Sequence, residues 1–354
     1  MFSSAIPNVP VHPATGHDRI HGWVKRAAIG VGVVGLLGAG ANGTTASAAP
    51  SHSAHTAKPK PPARIGAPKA SGVLPASPFD AGTVATRALS PASASYAADV
   101  VADYHADYGA VGVNQLPIYT IPANQPRVRV SVISGCNDFT PSTGTSIPIP
   151  AYAVSNGSSD SPMVVNQPST HTEWELWQAH QVAGGWSACW GGKLDTTNSS
   201  GTFAYPYGLS ATGISYLATT ITESDIASGS INHTLSIQLP RCNAPAVSPA
   251  NRTDCGSDPS QPAEGQTFRL PAAAAMPAGL TPFGQMVFRA LQTHGAVVTD
   301  RAGAVMIQAE QVSDWGRSGH AGVDPITASW QGRAEYQVVA NLPWAQLQTV
   351  QSPR

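Results

Sequence analysis

Period-two alternation is the pattern that most limits how this chain can fold. In "SINHTLSIQLP", residues 230–240, Ile231, His233, Leu235, Ile237 and Leu239 share one face, and Asn232, Thr234, Ser236 and Gln238 share the other. Successive side chains of a strand point to opposite sides, so this run predicts a strand with one apolar face. "RVRVSVI", residues 127–133, alternates as strictly, with Val128, Val130 and Val132 together. "PMVVNQ", "EWELWQ" and "GGWSACW" are further short strand candidates, and "AVVTDRAGAVMIQAE" reads as a hairpin turning at residues 300–303.

Helical spacing is rarer. "ASYAADVVADYHADYG" places Ala97, Val100, Val101 and Tyr104 on one side and stops at Gly109. "TESDIASG" opens with Thr222 and Asp225 in a capping-box spacing and stops at Gly229. "TPFGQMVFRALQTHG" carries Phe283, Met286, Val287, Ala290, Leu291 and His294 at helical spacing before Gly295. Short strands, 34 glycines and 31 prolines for turns, and two or three short helices predict a mainly β fold. The expected architecture is two antiparallel sheets packed as a jelly-roll-like sandwich, with a partly closed barrel as the alternative.

The N-terminal part reads as an export signal. Lys25 and Arg26 precede the uncharged run of residues 27–41, and the small-residue motif "ASA" follows at Ala46 to Ala48. Fifteen residues at about 1.5 Å each reach about 22 Å as a helix, short of the roughly 30 Å hydrocarbon core. Residues 1–48 are therefore expected to be a signal peptide cleaved near Ala48, with the membrane met only during export to a secreted, extracellular location. Residues 49–94 mix Pro, Ala, Ser and Lys with few large apolar side chains, a composition expected for an extended, disordered spacer. Residues 95–354 are expected to form a single domain.

Four cysteines, Cys136, Cys189, Cys242 and Cys255, suit an exported chain in which all thiols pair. Three connectivities are open. Cys242 and Cys255 bracket "NAPAVSPANRTD", which lacks apolar periodicity and reads as a stapled loop, leaving Cys136 for Cys189. With no C-x-x-C, no H-E-x-x-H and scattered histidines, neither a metal nor a cofactor is expected. Net charge is −1 and only 11% of residues are charged, with no basic cluster beyond the signal, which argues against a nucleic-acid partner.

"HTEWELWQ", residues 171–178, is the densest piece of chemistry. As a strand it sets Glu173, Glu175 and Trp177 on one face, with the two acidic Cα atoms roughly 6.6 to 6.8 Å apart. Carboxyl pairs at about 5 to 5.5 Å or about 6.5 to 9.5 Å serve retaining and inverting glycosidases, and an adjacent aromatic ring can stack on a sugar. The competing expectation is a solvated strand face with two repelling acids. His233, on an otherwise apolar face, is either an acid or base in a cleft or a core histidine bonded to a backbone carbonyl or a neighbouring polar side chain. Gln167, at the end of "VVNQPST", is a candidate partner in the same groove. Trp186 and Trp190, four apart, would share one strand face, and "GWSACW" lacks the last glycine of a nucleophile elbow.

Several blocks taken together, "PIYTIPANQPRVRV", "MVVNQPSTHTEWELWQA", "GWSACWGG", "SGSINHTLSIQLP", "PAEGQTFRLP" and "LPWAQLQTV", resemble a family of exported actinobacterial proteins of unassigned function. The resemblance implies a signal peptide, a spacer and a β-rich domain, and transfers no catalytic residue. More loosely, the block pattern is similar to concanavalin-like sandwiches of polysaccharide hydrolases and lyases, although their acid strand and Q-x-H triplet are missing. The expectation is an exported protein that engages a cell-wall or environmental polysaccharide, with Glu173, Glu175 and His233 as candidate catalytic groups and Gln167 and Trp177 as candidate binding groups. The alternative is a non-catalytic surface or structural protein.

Overall fold

Thirteen short strands assemble into two sheets in the computed structural model, which describes Phe79 and residues 84–107, 111–197, 200–311 and 323–352. The expected signal peptide and most of the expected spacer lie outside the described residues. The larger sheet holds nine strands in the order β13 (Gln348–Val350), β10 (Thr267–Arg269), β11 (Ala296–Arg301), β9 (Leu235–Leu239), β12 (Met306–Gln311), β1 (Gly112–Thr120), β4 (Met163–Gln167), β5 (Thr172–Trp177) and β8 (Trp190–Asp195), and the smaller holds four in the order β3 (Ser146–Ile147), β2 (Val128–Val132), β7 (Gly185–Ala188) and β6 (His180–Val182). The strands that position the site are β1 (Gly112–Thr120), β4 (Met163–Gln167), β5 (Thr172–Trp177), β8 (Trp190–Asp195), β9 (Leu235–Leu239), β11 (Ala296–Arg301) and β12 (Met306–Gln311).

The strand-rich, two-sheet expectation is met, but the antiparallel jelly-roll pattern is corrected. β1 runs parallel to both β12 and β4, β9 parallel to β11, and β2 (Val128–Val132) parallel to β7 (Gly185–Ala188). The expected hairpin over residues 296–310 is also corrected. β9 inserts between β11 and β12, pairing parallel with the first and antiparallel with the second, so the two successive strands are not neighbours. Leu235 and Ile237 explain the preference: the insertion buries them at the centre of the largest apolar cluster. The alternating run that suggested a strand from residue 230 is a strand only from Leu235, so His233 stands outside it.

The three helices foreseen are present as α1 (Ser93–Asp107), α3 (Glu223–Ser228) and α4 (Pro282–Thr293), joined by one-turn pieces α2 (Thr140–Thr143) and α5 (Pro325–Ala328). Thr222 caps α3 in a capping box with Asp225, and Gly229 closes it at φ 73°. α4 lays Phe283, Met286, Val287, Ala290 and Leu291 into the same core as Leu235, Ile237, Val298 and Ile307. On the other half of the large sheet, Met163, Val165, Trp174 and Leu176 share a core with Val130, Ile147, Trp186 and Ala188 of the small sheet.

Ordered packing begins before residue 95. Phe79 is buried, the Val84 N–H donates to the Thr293 carbonyl, and Leu89 bridges Val350 of the edge strand β13 (Gln348–Val350). The disulfides are Cys136–Cys189 and Cys242–Cys255, and among the described residues no cysteine is free. Such pairing suits an oxidising, extracellular environment. Among the described residues no helix is long and apolar enough to cross a membrane.

Candidate functional site

The octet holding the two acids is extended, as the alternation requires, and β5 pairs antiparallel with β4 and β8 on its two sides. Trp174 and Leu176 face the core shared with the small sheet, so Glu173 and Glu175 share the opposite face. That face is not solvated. Both glutamates are 0% exposed, covered by an irregular segment running over residues 208–221.

The covering segment explains why acids stand there. Irregular backbone pressed onto a sheet must find partners for its own N–H groups, which a ladder is not there to satisfy. Glu175 accepts from the Leu209 N–H at 2.8 Å and the Tyr216 N–H at 2.7 Å. Glu173 accepts from Ser215 Oγ at 2.8 Å and from the Leu217 N–H at 3.4 Å. Asp300, opposite Gln238 after a register shift in β11, accepts from the Ala211 N–H at 3.1 Å and the Tyr216 hydroxyl at 2.7 Å. The Gln238 amide donates to the same hydroxyl at 3.2 Å and accepts from Asn114 at 2.9 Å.

The carbonyls of the segment are served from the other direction. Arg252 donates to the carbonyls of Tyr207, Gly208 and Ser210, the last at 2.6 Å. Close approach is secured at Gly192, the cross-strand partner of Glu175, where a Cβ would lie 2.5 Å from the Gly208 nitrogen. Acids for the amides and an arginine for the carbonyls fasten the segment to the sheet.

Burial sets the protonation of this layer. Desolvation pushes the Glu173 carboxyl well above the ordinary range, and the neighbouring Glu175 charge pushes it further. Desolvation also raises Glu175, offset by the hydrogen bond from Glu173 and by the amides of Leu209 and Tyr216. The two acids are thus one interacting pair, both held above the ordinary carboxylate range and Glu173 the further. Asp300 is pushed up to about 7 by burial and by the Asp254 charge. An interacting pair of this kind has the chemistry of an acid and a base, but its lone pairs are turned to the protein's own amides.

The remaining candidates are dispersed. Gln167 pairs with Thr172 and so faces away from the acids; its amide donates to the Pro122 carbonyl at 3.0 Å, and its oxygen accepts from Thr170 at 2.9 Å. His233 bonds the Thr234 carbonyl at 3.0 Å and Asp225, in the cap of α3, at 3.2 Å. Trp177 is half-buried at the end of β5, and its indole N–H donates to Asp160 at 3.3 Å. Trp186 and Trp190 fall on β7 and β8, in different sheets, because the strand breaks at Cys189.

That break creates a feature the alternation did not foresee. Trp190 stands directly across from Trp177, and the Tyr207 ring stacks on Trp190 with centroids 5.6 Å apart and planes 16° apart. All three rings are half-buried, and Tyr205 beside them in sequence is 57% exposed. The Cys136–Cys189 disulfide ties the residue before Trp190 to the loop after β2. Along β2 runs an open groove of about 550 Å³ lined in part by Arg129, Ser131, Thr140, Thr145 and Ser146. None of the five candidate residues lines that groove.

Sequence reasoning missed Asp300, Arg252, Tyr216 and Gln238, the other half of the buried layer. Asp300 was read as a turn residue, although its β-branched neighbours carry the strand signal. The chain matches no family model, no curated protein and no solved structure.

Proposed function

We propose that this is an exported module that engages polysaccharide through the aromatic row Trp177, Trp190 and Tyr207, without cleaving it at Glu173 and Glu175. The observation that carries the reading is the row itself: two cross-strand tryptophans and a stacked tyrosine, each partly exposed, with Trp190 and Tyr207 also packed against the core. Aromatic faces are apolar platforms with a polar rim, suited to the C–H face of a pyranose, and ring pairs fixed by a sheet lose little freedom on binding. The core common to the two sheets supports a partial sandwich, an architecture that lectin domains also use.

Against hydrolysis at the glutamates stands their use as acceptors for buried amides, which leaves no open face for a glycosidic oxygen. A screen of purified protein against insoluble and soluble polysaccharides, scored for retention and for reducing ends released, tests the reading. Retention without new reducing ends is expected. Retention by no glycan would leave the non-catalytic structural protein as the better reading, and reducing-end release abolished by Glu173→Gln would restore the enzyme.

A further inference from the structure

At the mouth of the stapled loop a fully buried carboxylate, Glu264, and a half-buried one, Asp254, stand against each other. Asp254 and Glu264 place carboxylate oxygens within 4.8 Å of each other and of the Cys242 and Cys255 sulfurs. Glu264 is 0% exposed. One of its oxygens, Oε2, accepts from the Asp254 N–H at 3.3 Å. Its other oxygen, Oε1, and Asp254 Oδ1 are buried with no partner at hydrogen-bond geometry among the described residues, while the Thr253 hydroxyl and the Asp254 carboxyl lie near enough to act on Glu264. Buried carboxylate oxygens are nearly always paired, so this pair of orphans points to something missing between them.

The nearby cation does not fill the gap. Arg252 directs its guanidinium to the carbonyls of Tyr207, Gly208 and Ser210. Asp300 stands close enough to add its own negative field at Glu264. Among the described residues Asp254 and Glu264 form no salt bridge, and Arg252 acts on Glu264 through its field alone.

We propose that Asp254 and Glu264 are the side-chain ligands of a bound calcium ion. The disulfide sulfurs are oxidised and offer no thiolate, so the donor set is oxygen alone, which suits a hard cation and not zinc or copper. The missing zinc motifs of the sequence do not bear on such a site. Calcium accepts irregular shells of 6–8 oxygens, with loop carbonyls and water completing them, whereas magnesium demands a near-octahedral shell. Two carboxylates place the site in the weak extracellular class, with a dissociation constant of about 10⁻⁴ to 10⁻³ M. The Cys242–Cys255 staple holds Asp254 in place before the ion arrives, which lowers the ordering cost of binding.

Without the ion, a proton is the competing occupant. This inference does not rest on the glycan reading.

The test is equilibrium dialysis of chelator-treated full-length protein against calcium chloride up to about 5 mM, above the expected constant, with thermal melts alongside. One saturable calcium per chain is expected, with a melting temperature raised by about 2–4 °C, and both effects lost in Asp254→Asn and Glu264→Gln. Asp254 is only half-buried, so its variant is the better tolerated of the two, and the wild-type uptake needs no variant. No saturable uptake by the wild type, or uptake unchanged in Asp254→Asn, overturns the proposal in favour of a shared proton. Equal magnesium uptake overturns the choice of calcium.

Discussion

Glu175 of β5 accepts the backbone N–H of Tyr216 at 2.7 Å, fastening the middle of the covering segment to the large sheet. A second amide, that of Leu209, reaches the same carboxylate at 2.8 Å. Removing the carboxylate orphans two buried donors, each costing about 1–3 kcal/mol. Glu175→Ala is therefore expected to destabilise by about 3–5 kcal/mol in urea-induced unfolding. A loss under about 1 kcal/mol would show that the segment is held by other means.

Glu173 and Glu175 respond differently to amide replacement. Glu173 is the carboxyl that burial raises further, and Glu173→Gln keeps an acceptor for Ser215 Oγ without a charge to bury. Its expected cost is about 1 kcal/mol or less. Glu175→Gln turns a donor toward one of the two amides and is expected to cost at least twice as much. Equal losses in paired unfolding curves would contradict the larger part given to Glu175 in holding the covering segment.

Stability is expected to fall as the solution becomes alkaline. Asp300 is pushed up to about 7, Glu310 to about 8 and Glu264 to about 9, each first by burial. Each binds its proton more tightly folded than unfolded, so the folded state holds more protons between about pH 4 and those values. Stability contributed by these groups is thus greatest at acid pH and is lost as pH rises through about 7 to 9. Thermal melts at pH 5 and pH 9 in calcium-free buffer check the sign; a higher melting temperature at pH 9 would refute it.

Gly192→Ala tests how closely the segment sits on the sheet. A Cβ there meets the Gly208 nitrogen at 2.5 Å and the Phe203 ring at 2.7 Å. Backbone must move, and a loss of about 1–3 kcal/mol is expected. A fully stable variant would mean that the segment stands off the strand.

The sequence made strand existence legible wherever one face was apolar, as at Val130, Trp174 and Ile237, because burial on a single side writes period two into the chain. Pairing partners were not legible. β9 lies between β11 and β12 because of packing against α4, which no local pattern encodes. β1 carries no strict alternation and contains Pro117, which sits where the strand exchanges its β12 neighbour for β4. The placement of Glu173 and Glu175 on one face could be read from residues 171–178, but their burial could not, since it comes from a segment some forty residues on whose composition reads as loop. The aromatic row was hidden for the opposite reason: Trp186 and Trp190 looked like one strand until Cys189 divided them between two sheets.

Glycan engagement is most directly tested by comparing retention of four proteins on whichever polysaccharide holds the wild type. Trp177→Ala and Trp190→Ala should each weaken binding by about tenfold, corresponding to about 1.4 kcal/mol of lost stacking, while Glu173→Gln binds as the wild type does. Tryptophan variants that bind normally, beside a Glu173→Gln protein that folds but no longer binds, would contradict the account.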